Sequence, residues 1–318
     1  MSLHHRLPLH HRLDPTPETV HWGYFDARLP ARIEVDSGDT VVVDTVSGSP
    51  EVAPDETLYR PEHREIVTRL KPILGGHILT GPVAVRGALP GDTLEVRIKA
   101  IEMTADWGWN VIRPLRGTLP EDFPGFERRV IAIDRRAMTA KLAWGPSIPL
   151  RPFFGILGTA PRPEYGRISS VEPREFGGNM DCKEFVAGTS LFLPVFVPGA
   201  NFSAGDGHAV QGDGEVCLTA LETCLKGTFE LVLHKEVKLA MPRAITPTHY
   251  ITIGLDPDLD DAARQALRAM IAWLVSLQGW TPSEAYVFCS LACDLHVTQL
   301  VDGNKGIHAM VNRELLRA

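Results

Sequence analysis

Two stretches of the chain repeat one pattern of alternation. From Ala31 to Thr45 (ARIEVDSGDTVVVDT) and from Gly81 to Ile98 (GPVAVRGALPGDTLEVRI), short β-branched runs flank a Gly-Asp-Thr turn. Successive side chains of a strand point to opposite faces, so such alternation predicts half-buried strands, and a Ser-Gly-Asp or Pro-Gly-Asp break between two runs predicts a hairpin. The first third is therefore expected to be a β-sandwich or barrel built of hairpins. Trp107 to Pro173 is rich in proline, with Gly-Pro and Pro-Gly turns between short runs such as Arg129 to Ile133, which predicts more β-structure with long connections. Leu191 to Val197 and Glu230 to Lys238 are strand-like, and Pro194 argues for an edge or a bulge in the first of them.

The period changes near the C-terminus. Asp258 to Gln278 opens with acidic residues, carries apolar residues three and four apart, and stops at Gly279, the pattern of a helix. Thr281, Pro282 and Glu284 then spell a capping box at the start of a second helix, and a strand follows around His296 to Val301. The expected class is mainly β with an α+β C-terminal part, in which β-sandwich or barrel hairpins are followed by two helices packed on strands. Parallel doubly wound architecture is not supported. The expected domains are a β-rich N-terminal one (1–115), a central β domain carrying the site motifs (116–238) and an α+β C-terminal domain (239–318).

Composition narrows the classes of function. With 32 Lys+Arg against 39 Asp+Glu the formal charge is -7, which offers no basic footprint for nucleic acid or anionic lipid. No apolar run approaches the ~20 residues that span a bilayer and the stretch MSLHHRLPLHHRLDPTPE lacks the apolar region of a secretory signal, so a cytoplasmic location is expected. The five cysteines (Cys182, Cys217, Cys224, Cys289, Cys293) form no CxxC pair and read as reduced residues. His4, His5, His10 and His11 fall in a terminus that reads as a mobile arm.

Polar groups crowd one segment, Phe176 to Thr223. Asn179 and Asp181 follow two glycines, Asp206 and His208 flank Gly207, Gln211, Asp213 and Glu215 sit in QGDGE, and Glu222 comes further on. Such Gly/Asp/Asn runs also make ordinary turns, but three acid-rich turns with a histidine, packed between apolar strands, point to a polar site. Asp181, Asp206 and His208 supply two carboxylates and an imidazole, a mix suited to a divalent metal, zinc before calcium or another ion. Water activated at such an ion becomes a nucleophile near neutral pH, with Glu215 and Glu222 as candidate proton shuttles. The backbone of Gly177-Gly178 or the amide of Asn179 could stabilise an oxyanion, Gln211 and Asp213 could bind substrate, and Phe176 and Phe202 could select short acyl groups.

Weaker candidates stand beside these. His77 and His21 read more readily as structural histidines, and Asp256 to Asp261 as a helix start. Cys182, with Lys183 and Glu184, offers a thiolate alternative, but three consecutive residues on alternating faces make a poor triad. A non-catalytic module holding a cation or small ligand suits the same pocket.

The stretches TGPVAVRGALPGDTLEVRI, GGNMD, LPVFVPGANFSAGDGHAVQGDGEVCLTALET and SEAYVFCSLACDLHVTQLVDG resemble the acetamidase/formamidase family. The resemblance implies hydrolysis of formamide, acetamide or a related short amide or lactam; a further reading keeps the enzyme but changes the bond, to a lactam, carbamate or urea-like substrate. It also implies β-rich domains with an α+β C-terminal part and a homodimer or higher homo-oligomer. It places site residues at Asn179, Asp181, Asp206, His208, Gln211, Asp213, Glu215 and Glu222.

Overall fold

The computed structural model describes residues 8–316. Among them, most strands gather into a nine-stranded and an eleven-stranded sheet, with a two-stranded ribbon of Tyr24–Asp26 and Arg167–Ser169 alongside. The two large sheets share one core. Val41, Leu94 and Leu231 of the nine-stranded sheet and Val83, Leu157 and Phe202 of the other belong to the same buried cluster. Phe229 reaches across it to Phe154 and Phe202, with ring centroids 5.5 Å apart in both pairs. Fully burying an aromatic or aliphatic side chain of this size is worth about 1.5–3 kcal/mol, so the sandwich interior dominates the fold energy.

The Gly-Asp-Thr turns do not close hairpins. Ile33–Val35 runs parallel to Ile78–Val85 in the eleven-stranded sheet, with Ile33 opposite Val83, whereas Thr40–Asp44 pairs with Leu225–His234 in the nine-stranded sheet. The second copy does the same: Ile78–Val85 pairs with Phe202–Val210, and Thr93–Met103 pairs with Leu225–His234 and Ser190–Pro194 on the opposite sheet. Each turn thus carries the chain over the core. Folding over the core buries the same alternate side chains as zipping into a hairpin, and Gly38 (φ 93°) and Gly91 (φ 89°) supply the positive φ the corner needs.

Pro194 was expected at an edge, yet Ser190–Pro194 is an inner strand between Thr93–Met103 and Arg243–Ile245. Its pairing with Arg243–Ile245 ends at Phe192, so the missing N–H of Pro194 falls beyond that ladder. The N-terminal arm is also not free from His10 onward. His10–Leu13 lies parallel to Thr40–Val43, and His11 Nε2 stands 2.8 Å from Asp39. His4 and His5 lie outside the described residues.

Three α-helices are described. α1 (Pro61–Arg69), unforeseen among the strands, buries His63, Ile66 and Val67. α2 (Leu259–Gln278) starts where the Asp258 carboxylate accepts from the N–H groups of Asp260 and Asp261, and it stops at Gly279 in the left-handed conformation. It packs on strand His249–Asp256, where any Cβ at Gly254 would strike the carbonyl of Ala262. α3 (Pro282–Ala292) carries the foreseen capping box, in which Thr281 Oγ1 accepts from Glu284 N and Glu284 accepts from Thr281 N at 2.8 Å. Strand Cys293–Gln299 follows it. No helix among the described residues is long and apolar enough to cross a membrane.

Candidate active site

Four elements converge on one imidazole. Strand Phe202–Val210 carries Asp206 and His208. Leu221–Glu222 places Glu222 opposite His208. Asp181 follows Gly177–Asn179, which pairs along the far edge of Phe153–Gly158, and Glu215 sits in the loop beyond Val210. His208 Nε2 stands 3.1 Å from Asp206 Oδ2, 3.2 Å from Glu222 Oε1, 3.8 Å from Asp181 Oδ1 and 4.0 Å from Glu215 Oε1. All five side chains are buried.

The other ring nitrogen sets the tautomer. Gln211 Nε2 donates to the Asp181 carbonyl at 2.8 Å, which turns Gln211 Oε1 toward His208 Nδ1 at 3.0 Å. Nδ1 is thereby the donor and Nε2 is left to face the acids. The edge-to-face ring of Phe153, 4.9 Å away, holds the imidazole from the side.

So many buried acids cannot all be ionised without a positive charge among them. Two carboxylates ~4 Å apart repel by about 4 kcal/mol at an effective dielectric of ~20. Burial pushes Glu222 up to about 8, with the His208 charge opposing and Asp206 reinforcing the shift. Burial and the Asp181 charge hold Glu215 well above the usual carboxylate range. Asp206 goes the other way: burial raises it, but His77 and His208 together draw it below its ordinary value. For His208, burial lowers the pKa, yet Glu222 and Asp206 outweigh that and raise it well above an ordinary imidazole.

Two features show what the chain gives up to build this cluster. Asp181 (φ 48°), Asp206 (φ 57°) and Glu215 (φ 44°) all hold left-handed backbone, a conformation that non-glycine residues reach at a cost of about 1–3 kcal/mol and that gathers at functional sites. Gly155, opposite the cluster on Phe153–Gly158, forms its floor. A Cβ there would lie 2.5 Å from Asp206 Oδ2 and 2.8 Å from His208 Cε1.

The donor set fits a cation. Both oxygens of Asp181, Oε2 of Glu222 and Oδ2 of Asp302 are buried without a hydrogen-bond partner. Asp181, His208 and Glu215 form one group of ligand atoms within 4.8 Å of one another, and Asp206, His208 and Glu222 form a second. The two groups share the imidazole and divide the acids, each aspartate going with a glutamate.

Two further residues join this site. Asp302 is buried, and burial and the charges of Asp181 and Glu215 keep its carboxyl well above its ordinary range. In sequence its Asp-Gly pair reads only as a turn. His77, read as structural, does hydrogen-bond to Ser170 (2.9 Å), and it also lines, with Asp206 and Asp302, a cavity of about 300 Å³.

Other expected residues stand apart. Asp213 is ion-paired with Lys183 at 2.7 Å and lies 3.3 Å from His296. Phe176 is a core ring packed on Phe25, Gly178 is held in the ladder opposite Leu157, and Phe202 lies in the sandwich core. Asn179, two residues before Asp181, keeps a buried Oδ1 without a partner. Cys182 is buried and its thiol pKa is raised by that burial, which removes the thiolate a nucleophile needs. His21 is structural, bonded to the Tyr24 carbonyl at 2.6 Å and to Ser203 at 3.0 Å.

The model of the Acetamidase/Formamidase family matches residues 10–168 and 165–311. A putative formamidase of Schizosaccharomyces pombe is 26% identical over 241 residues, covering 59% of this chain and 57% of that protein. The chain spans about half the length of such curated relatives. Two crystal structures follow almost its whole length. An acetamidase from Yersinia enterocolitica is 28% identical with a TM-score of 0.86, covering 99% of this chain and 95% of that one. A predicted acetamidase/formamidase from Thermoanaerobacter tengcongensis is 26% identical with a TM-score of 0.85, covering 98% of both.

Proposed function

Because the chain belongs to the acetamidase/formamidase family, we propose that it hydrolyses a small linear amide of the formamide or acetamide type to ammonia and a carboxylate. The observation that carries this reading is the buried imidazole ringed by four carboxylates, opening on a cavity through Asp206 and Asp302.

Asp181, Asp206 and His208 are the proposed ligands of a divalent ion, and the mixture of imidazole and carboxylate favours zinc over an ion that prefers oxygen alone. Such an ion supplies Lewis acidity, polarising the amide carbonyl and lowering the pKa of water toward neutrality. The chain's own groups do the rest. Gln211 holds His208 in the tautomer that presents Nε2. Glu222, 3.2 Å from His208 Nε2, is the first proton carrier: as a carboxylate it accepts a proton from the attacking water and delivers it to the departing nitrogen as the C–N bond breaks. Glu215 is the second proton carrier, and the Asn179 side chain is the proposed donor to the carbonyl oxygen as it gains charge. Walls of protein around the cluster keep bulk water from screening these charges.

A homodimer or higher oligomer and a cytoplasmic location complete the proposal. The outer face of α3 supports the first, since Tyr286, Val287 and Leu291 are all exposed there. The test is ammonia release from formamide, acetamide, propionamide and a γ-lactam, before and after chelation and with single metals restored. Turnover lost on chelation and recovered with one ion is expected. Turnover indifferent to chelation would remove the ion from the reading. Absence of turnover on every amide, with metal still bound, would leave a cation-binding module.

A further inference from the structure

The cavity above the acids is much larger than acetamide needs. A water molecule's share of liquid volume is about 30 Å³, so acetamide takes roughly 90 Å³. The cavity measures about 300 Å³, at the size where sites for drug-sized ligands begin. Its walls include the apolar faces of Trp22, Trp109, Ile78 and Val111. Both indole N–H groups are already engaged within the protein, Trp22 with the Gly76 carbonyl at 2.9 Å and Trp109 with Ser47 Oγ at 3.3 Å. What the rings offer a ligand is therefore apolar surface.

Asp206 and Asp302 join the lining to the acid cluster, together with His77. From there strand Trp107–Ile112 leads away: Trp109 pairs with Glu222, Val111 follows on the same face, and Arg113 and the turn to Arg116 lie past the strand's end, with Glu51 completing the charged lining. Glu51 and Arg113 pair with each other at 2.5 Å, and Arg113 lowers the Glu51 pKa, so this pair carries no net charge. The Arg116 guanidinium is exposed, and among the described residues it has no hydrogen-bond or ion-pair partner. Of the charges past the strand's end, only that of Arg116 is left over. A neutral short amide uses neither the apolar walls nor this charge.

We infer that the preferred substrate is a linear amide whose acyl group runs from the reacting carbonyl through an apolar body to a terminal carboxylate, which Arg116 receives. This rests on the amidase reading above, in which ammonia leaves and the larger part of the substrate is the acyl side. A guanidinium binds a carboxylate by two parallel N–H···O bonds, a geometry that rewards this end group and ignores a neutral one.

The experiment compares 4-carbamoylbenzoate with benzamide, by quenching of tryptophan fluorescence for binding and by ammonia release for turnover, on wild type and Arg116→Gln. The carboxylated amide should bind tenfold tighter or better. Arg116→Gln should erase that preference while leaving benzamide binding within twofold, and 0.5 M salt should weaken the preference in wild type. Equal affinities in wild type, or a preference untouched by Arg116→Gln, would overturn the inference. Arg116 is exposed, so loss of folding does not confuse the result. Preferential binding without ammonia release would overturn the amidase reading alone and leave the ligand class standing.

Discussion

Gly155→Ala tests the site without touching any acid or the histidine. The substitution adds one methyl group to the floor. Gly155 has no positive φ, so the backbone accepts alanine, and the whole effect comes from where the methyl must sit. Its nearest neighbour would be Asp181 Oδ1, and it would stand 2.5 Å from Asp206 Oδ2 and 2.8 Å from His208 Cε1, whereas non-bonded carbon contacts settle near ~3.5–4.0 Å. Asp181 and Asp206, or the strands that carry them, must therefore retreat by about 1 Å. Overpacking of this kind costs about 1–3 kcal/mol in stability, which lowers the melting temperature by roughly 2–12 °C. A 1 Å misplacement of reacting groups costs about a hundredfold in rate. If the cluster holds the proposed divalent ion, Gly155→Ala should thus remain folded by circular dichroism, retain much less of that ion than wild type by elemental analysis after gel filtration, and release ammonia from acetamide about a hundred times more slowly. A variant that keeps its metal and stays within threefold of wild type would refute the claim that this floor shapes the reacting cluster.

Two other perturbations probe the frame. His63 is buried against Tyr59 and bonded to the Gly48 carbonyl, and burial lowers its pKa to about 4 from 6.5. The unfolded chain binds that proton first as pH falls through 6.5, so His63 removes about 2 kcal/mol of stability between pH 7 and pH 5. In urea titrations His63→Gln should show a pH slope shallower than wild type by that amount, and parallel slopes would contradict the assignment of a neutral buried imidazole. On α3, Leu291→Glu places a charge on the exposed apolar face and, on the proposed oligomer, should shift the mass measured by light scattering from that of the oligomer to that of the monomer. An unchanged mass would move the interface elsewhere.

Local signals were the legible part of this sequence. The capping box at Thr281 and the stop at Gly279 mark α2 and α3 because caps are satisfied within a few residues of the chain. The cluster of acids was legible because GGNMD, GDGH and QGDGE crowd glycines and acids into three short turns, and the backbone does turn left-handed at Asp181, Asp206 and Glu215. Sheet partnership was not legible, since the alternation of Ile33–Val35 and Thr40–Asp44 is the same whether they pair or face each other across a core. Asp302 escaped for a related reason. Its charge environment is made by Asp181 and Glu215, more than 80 residues away, while its own neighbours describe only a turn. Phe176 and Phe202 erred in the opposite sense, because an aromatic next to a polar motif reads the same whether it lines a pocket or closes the core behind it.

The left-handed acids set this protein's stability against its chemistry. At each of the three positions glycine would be the more comfortable residue, relieving about 1–3 kcal/mol of backbone strain and removing a buried carboxyl group at the same time. Selection for heat resistance alone would therefore draw the chain toward glycine at the places where the proposed reaction needs a carboxylate, and on that proposal the sturdiest descendants of this sequence would be inert.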